Sequence, residues 1–210
     1  MLQILVQYMV NKLTDANLFG KVHGLVSLIT IGDKTFPALY KGTGRNTTAQ
    51  LDPAKWFGVA YFRKNGAVSF TQGGIEQFKP CAVPVQITIP MKLICTIKKD
   101  ALKCDDVFAS DELAMYIGKL LSDINGIRTE VKAKRVTFNV NEYITDPREI
   151  VSEELIGLEN TIKSEYAYLS MSIEVQVDTT KDCMFDYCGG VLIDEVADQV
   201  VDQNNNNIKA

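Results

Sequence analysis

The sequence predicts an α+β fold: a mainly antiparallel sheet with long strands, packed against two to three helices. Three observations carry this expectation. Residues 83–97 and 166–177 alternate apolar and polar side chains with the two-residue period of half-buried strands. Residues 2–13 and 110–124 instead place apolar residues at helical spacing. Short Gly-containing turns punctuate the text between them.

In chain order, Leu2, Leu5, Val6, Met9 and Leu13 fall on one helical face, and Gly20 lies past the end. GLVSLITIGDKTFPALY reads as a hairpin turning at Gly32 and Asp33. Residues 41–55, KGTGRNTTAQLDPAK, are a loop by composition. WFGVAYFRKNGAVSFTQ predicts a second hairpin about Asn65 and Gly66, the strongest short turn signal in the chain.

In 83–97 every odd position is apolar: Val83, Val85, Ile87, Ile89, Met91, Leu93, Cys95 and Ile97. The even positions are polar or proline, Ile94 excepted. Pro84 and Pro90 cannot donate to a ladder, which predicts that part of this strand is an edge or bends away. Its length exceeds the usual five or so residues and suits a sheet that reaches past its own body.

Ser110, Asp111 and Glu112 open a helix with a cap and first-turn carboxylates. Its stripe is Leu113, Tyr116, Ile117, Leu120, Leu121 and Ile124, and Asn125 and Gly126 end it. VKAKRVTFNVNEYI, 131–144, reads as a strand. Asp146, Pro147 and Glu149 mark another helix start, running to about Leu158. The last strand turns Ala167, Leu169, Met171, Ile173, Val175 and Val177 inward. Residues 1–180 are therefore expected to form a single α+β domain, and 181–210 an acidic extension whose Asn-rich end is mobile.

Composition narrows the function classes. A 210-residue chain with 46% hydrophobic residues has enough material for a core without staples. MLQILVQYMV is interrupted by Gln3 and Gln7, is too short to span a bilayer, and lacks the basic start and cleavage site of a secretory signal. No membrane association and no export are expected, and the glycosylation-like acceptor at Asn46 is a chance match. Five cysteines, three of them away from the closing pair, point to reduced thiols. The net charge of −4 hides a division: 1–144 carries 18 basic and 12 acidic side chains, 145–210 carries 4 and 14. Such opposed halves can hold one copy of a chain against the next.

Chemistry-bearing constellations are scarce. Cys183 and Cys188 lack the second pair a structural metal needs and the two-residue spacing of redox pairs, so they read as small hydrophobes. His23, the one histidine, lies in an apolar run and reads as core. Asp105, Asp106, Asp111 and Glu112 sit beside a helix start, where the macrodipole accounts for them. No catalytic residue, cofactor, metal or small-molecule substrate is expected. The candidates for contact are cations: Arg45 in the 41–55 loop, Lys98, Lys99 and Lys103 after the long strand, and Lys132, Lys134 and Arg135. Such clusters can touch a nucleic-acid backbone without reading bases, and no interleaved aromatics accompany them. A solvated surface is the commoner use.

The order of elements (amphipathic helix, hairpins, long alternating strand, helix, returning strands) resembles the small α+β head-to-tail connector proteins of tailed bacteriophages, of the tail terminator or tail completion type. The ending DTTKDCMFDYC is similar to what such proteins from phages of gut bacteria would carry, the crAss-like group included. The resemblance covers roughly residues 1–180 by topology and transfers no catalytic or binding residue. It implies a virion structural protein, made in the host cytoplasm, that assembles with copies of itself as a ring around a DNA channel. Its partners would be adjacent connector or tail proteins, with non-specific contact to DNA in the channel. The alternative is a monomeric accessory domain that binds nucleic acid through the basic clusters.

Overall fold

Two strands of 15 residues, β6 (Pro84–Lys98) and β8 (Tyr166–Thr180), pair antiparallel along their whole length and form the middle of the sheet. They are seen in a computed structural model that describes residues 1–40, 46–48, 56–73, 84–102, 109–122, 126–154, 164–180, 192–194, 199–201 and 207–208. Around them lie β1 (Lys21–Ile31), β2 (Lys34–Tyr40), β3 (Asn46–Thr48), β4 (Gly58–Lys64), β5 (Ser69–Gln72) and β7 (Arg135–Ile144). The strand order is β3-β2-β1-β4-β6-β8-β7, with β5 also on β6. Every pair is antiparallel except β1 with β4. The fold is α+β, as the alternation of the long strands predicts.

The odd residues of β6 and β8 face one another across the central pair, Ile97 opposite Ala167 through Ile87 opposite Val177. They build the main core. Helices α1 (Leu2–Asp15), α3 (Ala109–Ser122) and the short α4 (Ile127–Glu130) cover it with Leu5, Met9, Leu13, Leu113, Ile117, Leu121 and Ile127. Complete burial of a side chain such as Leu93 or Ile97 contributes roughly 1.5–3 kcal/mol, which is why parity fixes this face so firmly.

The helices do not all lie on that face. Helix α5 (Pro147–Glu154) packs on the opposite face, where Ile150 joins Val26, Tyr61, Ile94, Tyr166 and Tyr168 in a second, smaller core. Ile94, the one apolar even position of β6, is the residue that needed this cover. Lys92, on the same face, is buried and forms an ion pair with Glu153 of α5.

The first hairpin is as expected: Ile31 pairs with Lys34, and Gly32 takes φ +66° at the first central position of a two-residue turn. The second hairpin does not exist. β4 pairs with Met91–Ile97 and β5 with Val85–Thr88, both antiparallel to β6 on one side, so β4 and β5 are successive pieces of one line. The gap between them faces Pro90. The Asn65 N–H donates to the Pro90 carbonyl at 3.0 Å, and Gly73 N–H to the Pro84 carbonyl at 3.0 Å. In an antiparallel ladder a residue turns its N–H and C=O to the same side. Both missing proline donors therefore face β4 and β5, and the β6–β8 ladder keeps all of its own. β6 is central, not an edge.

Residues 131–134 are likewise not strand: α4 and a turn occupy 127–134, and β7 starts at Arg135. Past β8, β9 (Leu192–Asp194), β10 (Gln199–Val201) and β11 (Asn207–Ile208) form a three-stranded antiparallel sheet. The 41–45 and 49–55 parts of the expected loop, the continuation of α5 toward Leu158, and most of the Asn-rich run lie outside the described residues.

Candidate partner-facing surfaces

The two basic clusters stand at opposite ends of the strands, on β6 and at the start of β7. Lys98 pairs with Tyr166 at one end of β8, and Arg135 pairs with Asp178 near the other. At roughly 3.3 Å per residue, those positions on β8 are about 40 Å apart. Lys98 and Lys99 are half-buried at the β6–α2 junction (α2, Lys99–Leu102), where their N–H groups donate to the carbonyls of Phe57 and Glu165 at 2.8 and 3.0 Å. Lys103 and Arg45 lie outside the described residues, as do Cys183 and Cys188.

Lys132, Lys134 and Arg135 are exposed. The structure adds Arg128 to them, a residue that sequence reading missed because it lies before the supposed strand. Arg128 and Lys132 belong to one local device. Ala133 N–H donates to the Arg128 carbonyl at 2.9 Å and Lys132 N–H to the Thr129 carbonyl at 3.2 Å. This is the Schellman pattern of helix ends, and its left-handed position is normally glycine. Here Lys132 occupies it with φ 50°, at a cost of about 1 kcal/mol or more. The end of β8 holds it there: Thr179 Oγ1, on a buried residue, donates to the Lys132 carbonyl at 3.3 Å, and Lys134 N–H donates to the Asp178 carbonyl at 2.8 Å. Beside the turn lies an open cavity of about 450 Å³, lined by Gly126, Arg128, Thr129, Lys132 and Ala133. Among the described residues, the acidic groups nearby in chain and register are Glu130, exposed, and Asp178, which accepts the Gln86 amide at 3.0 Å.

The second surface is an edge. Among the described residues β7 pairs with β8 only, so every second residue of its outer side offers an N–H and C=O to a further strand. The register slips between Val140 and Glu142, a bulge at Asn141. Val140 and Tyr143 are 41% and 46% exposed, and α3, which packs against β7 and β8, exposes Met115 and Tyr116. Gly118 of α3 faces Val140, with 4.0 Å from an added Cβ to Val140 Cγ2. At the other end of the sheet the outermost strand is β3.

His23 and Cys95 sit in packed surroundings. His23 is buried on β1 where the register slips between Val22 and Leu25, as expected of a core histidine. Cys95 is buried opposite Leu169, and desolvation pushes its thiol far above the usual range. Among the described residues no group of three or more His, Cys, Asp or Glu side chains is placed to hold a metal ion, and no helix is long and apolar enough to cross a membrane. No family model matches the chain, and no curated protein matches it.

Proposed function

We propose that the chain is a non-enzymatic structural subunit that assembles with copies of itself into a ring, of the kind found at the head-to-tail connector or tail of bacteriophage virions. One observation carries the reading: the sheet ends at β7, a strand of 10 residues whose outer side pairs with nothing among the described residues and whose exposed apolar side chains flank that edge. Soluble proteins blunt such edges or use them. β7 has a bulge but neither proline nor lysine within it, so it is weakly blunted. The two ends of the sheet, β3 and β7, are different surfaces, and joining one end to the other repeats head to tail. A head-to-tail contact closes into a ring when its rotation allows. The opposed charges of 1–144 and 145–210 favour the same arrangement. Neighbouring connector or tail proteins would stack on such a ring.

The test is solution mass across a concentration series, with particle shape under negative stain. Closed rings or a concentration-dependent oligomer are expected. The V140K/Y143K double variant, which puts charge on the edge without touching the core, should reduce the mass to that of the monomer and leave Tm within a few degrees of wild type. A wild-type protein that stays monomeric when concentrated, or a variant that assembles like wild type, would refute the reading.

A further inference from the structure

We propose that the α4–β7 corner is a phosphate-backbone site for a nucleic-acid strand, built on Arg128, Thr129 and Lys132 and continued by Lys134 and Arg135. The observation is a juxtaposition. The cavity beside α4 is lined by two cations and a hydroxyl, and its lysine is held in a left-handed conformation by β8. Lys134 and Arg135 carry the positive charge on from there onto the first residue of β7, both exposed. A small anion would need one or two of these groups. Among the described residues, four cations from cavity to strand, against Glu130 and Asp178, suit a polymer with a charge at every repeat. Thr129 supplies a neutral hydroxyl donor of the sort that positions phosphates. Among the described residues no aromatic side chain lines the cavity, which suits a contact that positions a backbone and reads no bases. Lys98 and Lys99, about 40 Å away along β8, are outside this site.

The inference sharpens the DNA contact implied by a channel ring, and rests on that reading only for where the strand comes from. Binding itself is measurable on the full chain at dilution. The probe is a short fluorescein-labelled DNA duplex, read by anisotropy against salt. Each phosphate contact adds about −0.9 to the log–log salt slope, so four cations give about −3.6. The R128A/K132G variant should bring the slope to about −1.8 and weaken binding at low salt by tenfold or more. Glycine is the natural occupant of the Lys132 position, so the variant should keep its Tm, which separates lost contact from lost fold. K98A/K99A should bind like wild type.

No duplex binding by wild type, full binding by R128A/K132G, or equal loss in K98A/K99A each overturns the site. Polyglutamate that displaces the probe as well as unlabelled duplex does would assign the corner to acidic protein and overturn the nucleic-acid assignment. Solution mass, read on the same samples, reports separately on assembly. A variant that keeps its mass while losing DNA isolates the corner, and a monomer that binds duplex removes the ring without removing the site.

Discussion

Cys95 shows how a single position reports on the core around it. Its odd parity in β6 places it inward, opposite Leu169, and complete burial disfavours the thiolate. The sign of the consequence is set by the unfolded chain. Below the ordinary thiol value of 9.0 both states hold the proton and the residue is silent. Above it the unfolded thiol ionises while the native one does not, so the unfolded state gains and stability falls, by about 1.4 kcal/mol per pH unit. Urea unfolding under reducing conditions at about pH 8 and about pH 10 should therefore show a larger loss in wild type than in Cys95→Ala, whatever the cavity costs at both pH values. An identical loss in the two proteins would contradict the assignment. Lys132 makes the opposite point. Its sequence neighbours look like a strand, and only the carbonyl–amide pairs with Arg128 and Thr129 reveal a helix end.

At the scale of elements, periodicity was legible where one face is buried and turn chemistry was not always so. The alternation of 83–97 and 166–177 became β6 and β8 nearly residue for residue, because a one-residue slip would turn every apolar side chain outward. Asn65 and Gly66 misled because a hairpin signal is local, whereas the partner of both β4 and β5 is a strand some twenty residues on. Pro90 of that strand calls for a gap, and Gly66 supplies it at φ +127°. An added Cβ there would stand 3.2 Å from Pro90 Cγ. Gly66→Ala should thus destabilise by about 2 kcal/mol, from backbone strain and crowding together, readable as a shift in denaturant midpoint at unchanged m. A neutral substitution would mean that the gap is not held by this contact. The prolines themselves were read with the right chemistry and the wrong geometry. Their parity decides which neighbour loses a donor, and the neighbour is not visible in the text.

Across the whole molecule, the sheet is covered unequally. Its odd face lies under α1, α3 and α4, while its even face is covered by α5 over the tyrosines and is otherwise polar, with Gln86, Thr88, Glu174, Gln176 and Asp178 half-buried or exposed. Which face α5 takes could not be foreseen from its own short apolar stripe. The clue was in β6, where Ile94 alone breaks the polar parity; the burial of Lys92 beside it is visible only in the structure. Glu153 holds the second layer through Lys92. Glu153→Ala should cost about 1–2 kcal/mol, since it leaves a buried ammonium without its carboxylate, although the exposure of Glu153 tempers the loss. Replacing the pair together, Lys92→Met with Glu153→Ala, should recover most of it, and thermal unfolding of these two variants and of Lys92→Met alone closes the cycle. If the double variant is no better than Glu153→Ala, α5 is held by its apolar contacts instead. The basic clusters were legible as charge, whereas strand length pointed to β6, which is central. The placement, cations at opposite ends of the strands and an edge at β7 that pairs only with β8 among the described residues, belongs to the register.

The full-length pairing of β6 with β8 also sets an order of events during synthesis. β6 leaves the ribosome long before its partner, and its row of apolar side chains can be sealed on that side only after Thr180 has emerged. Such distant pairing makes for slow folding, and the half-made chain carries a strand unpaired on that side until the stretch from Lys99 to Thr180 has been made.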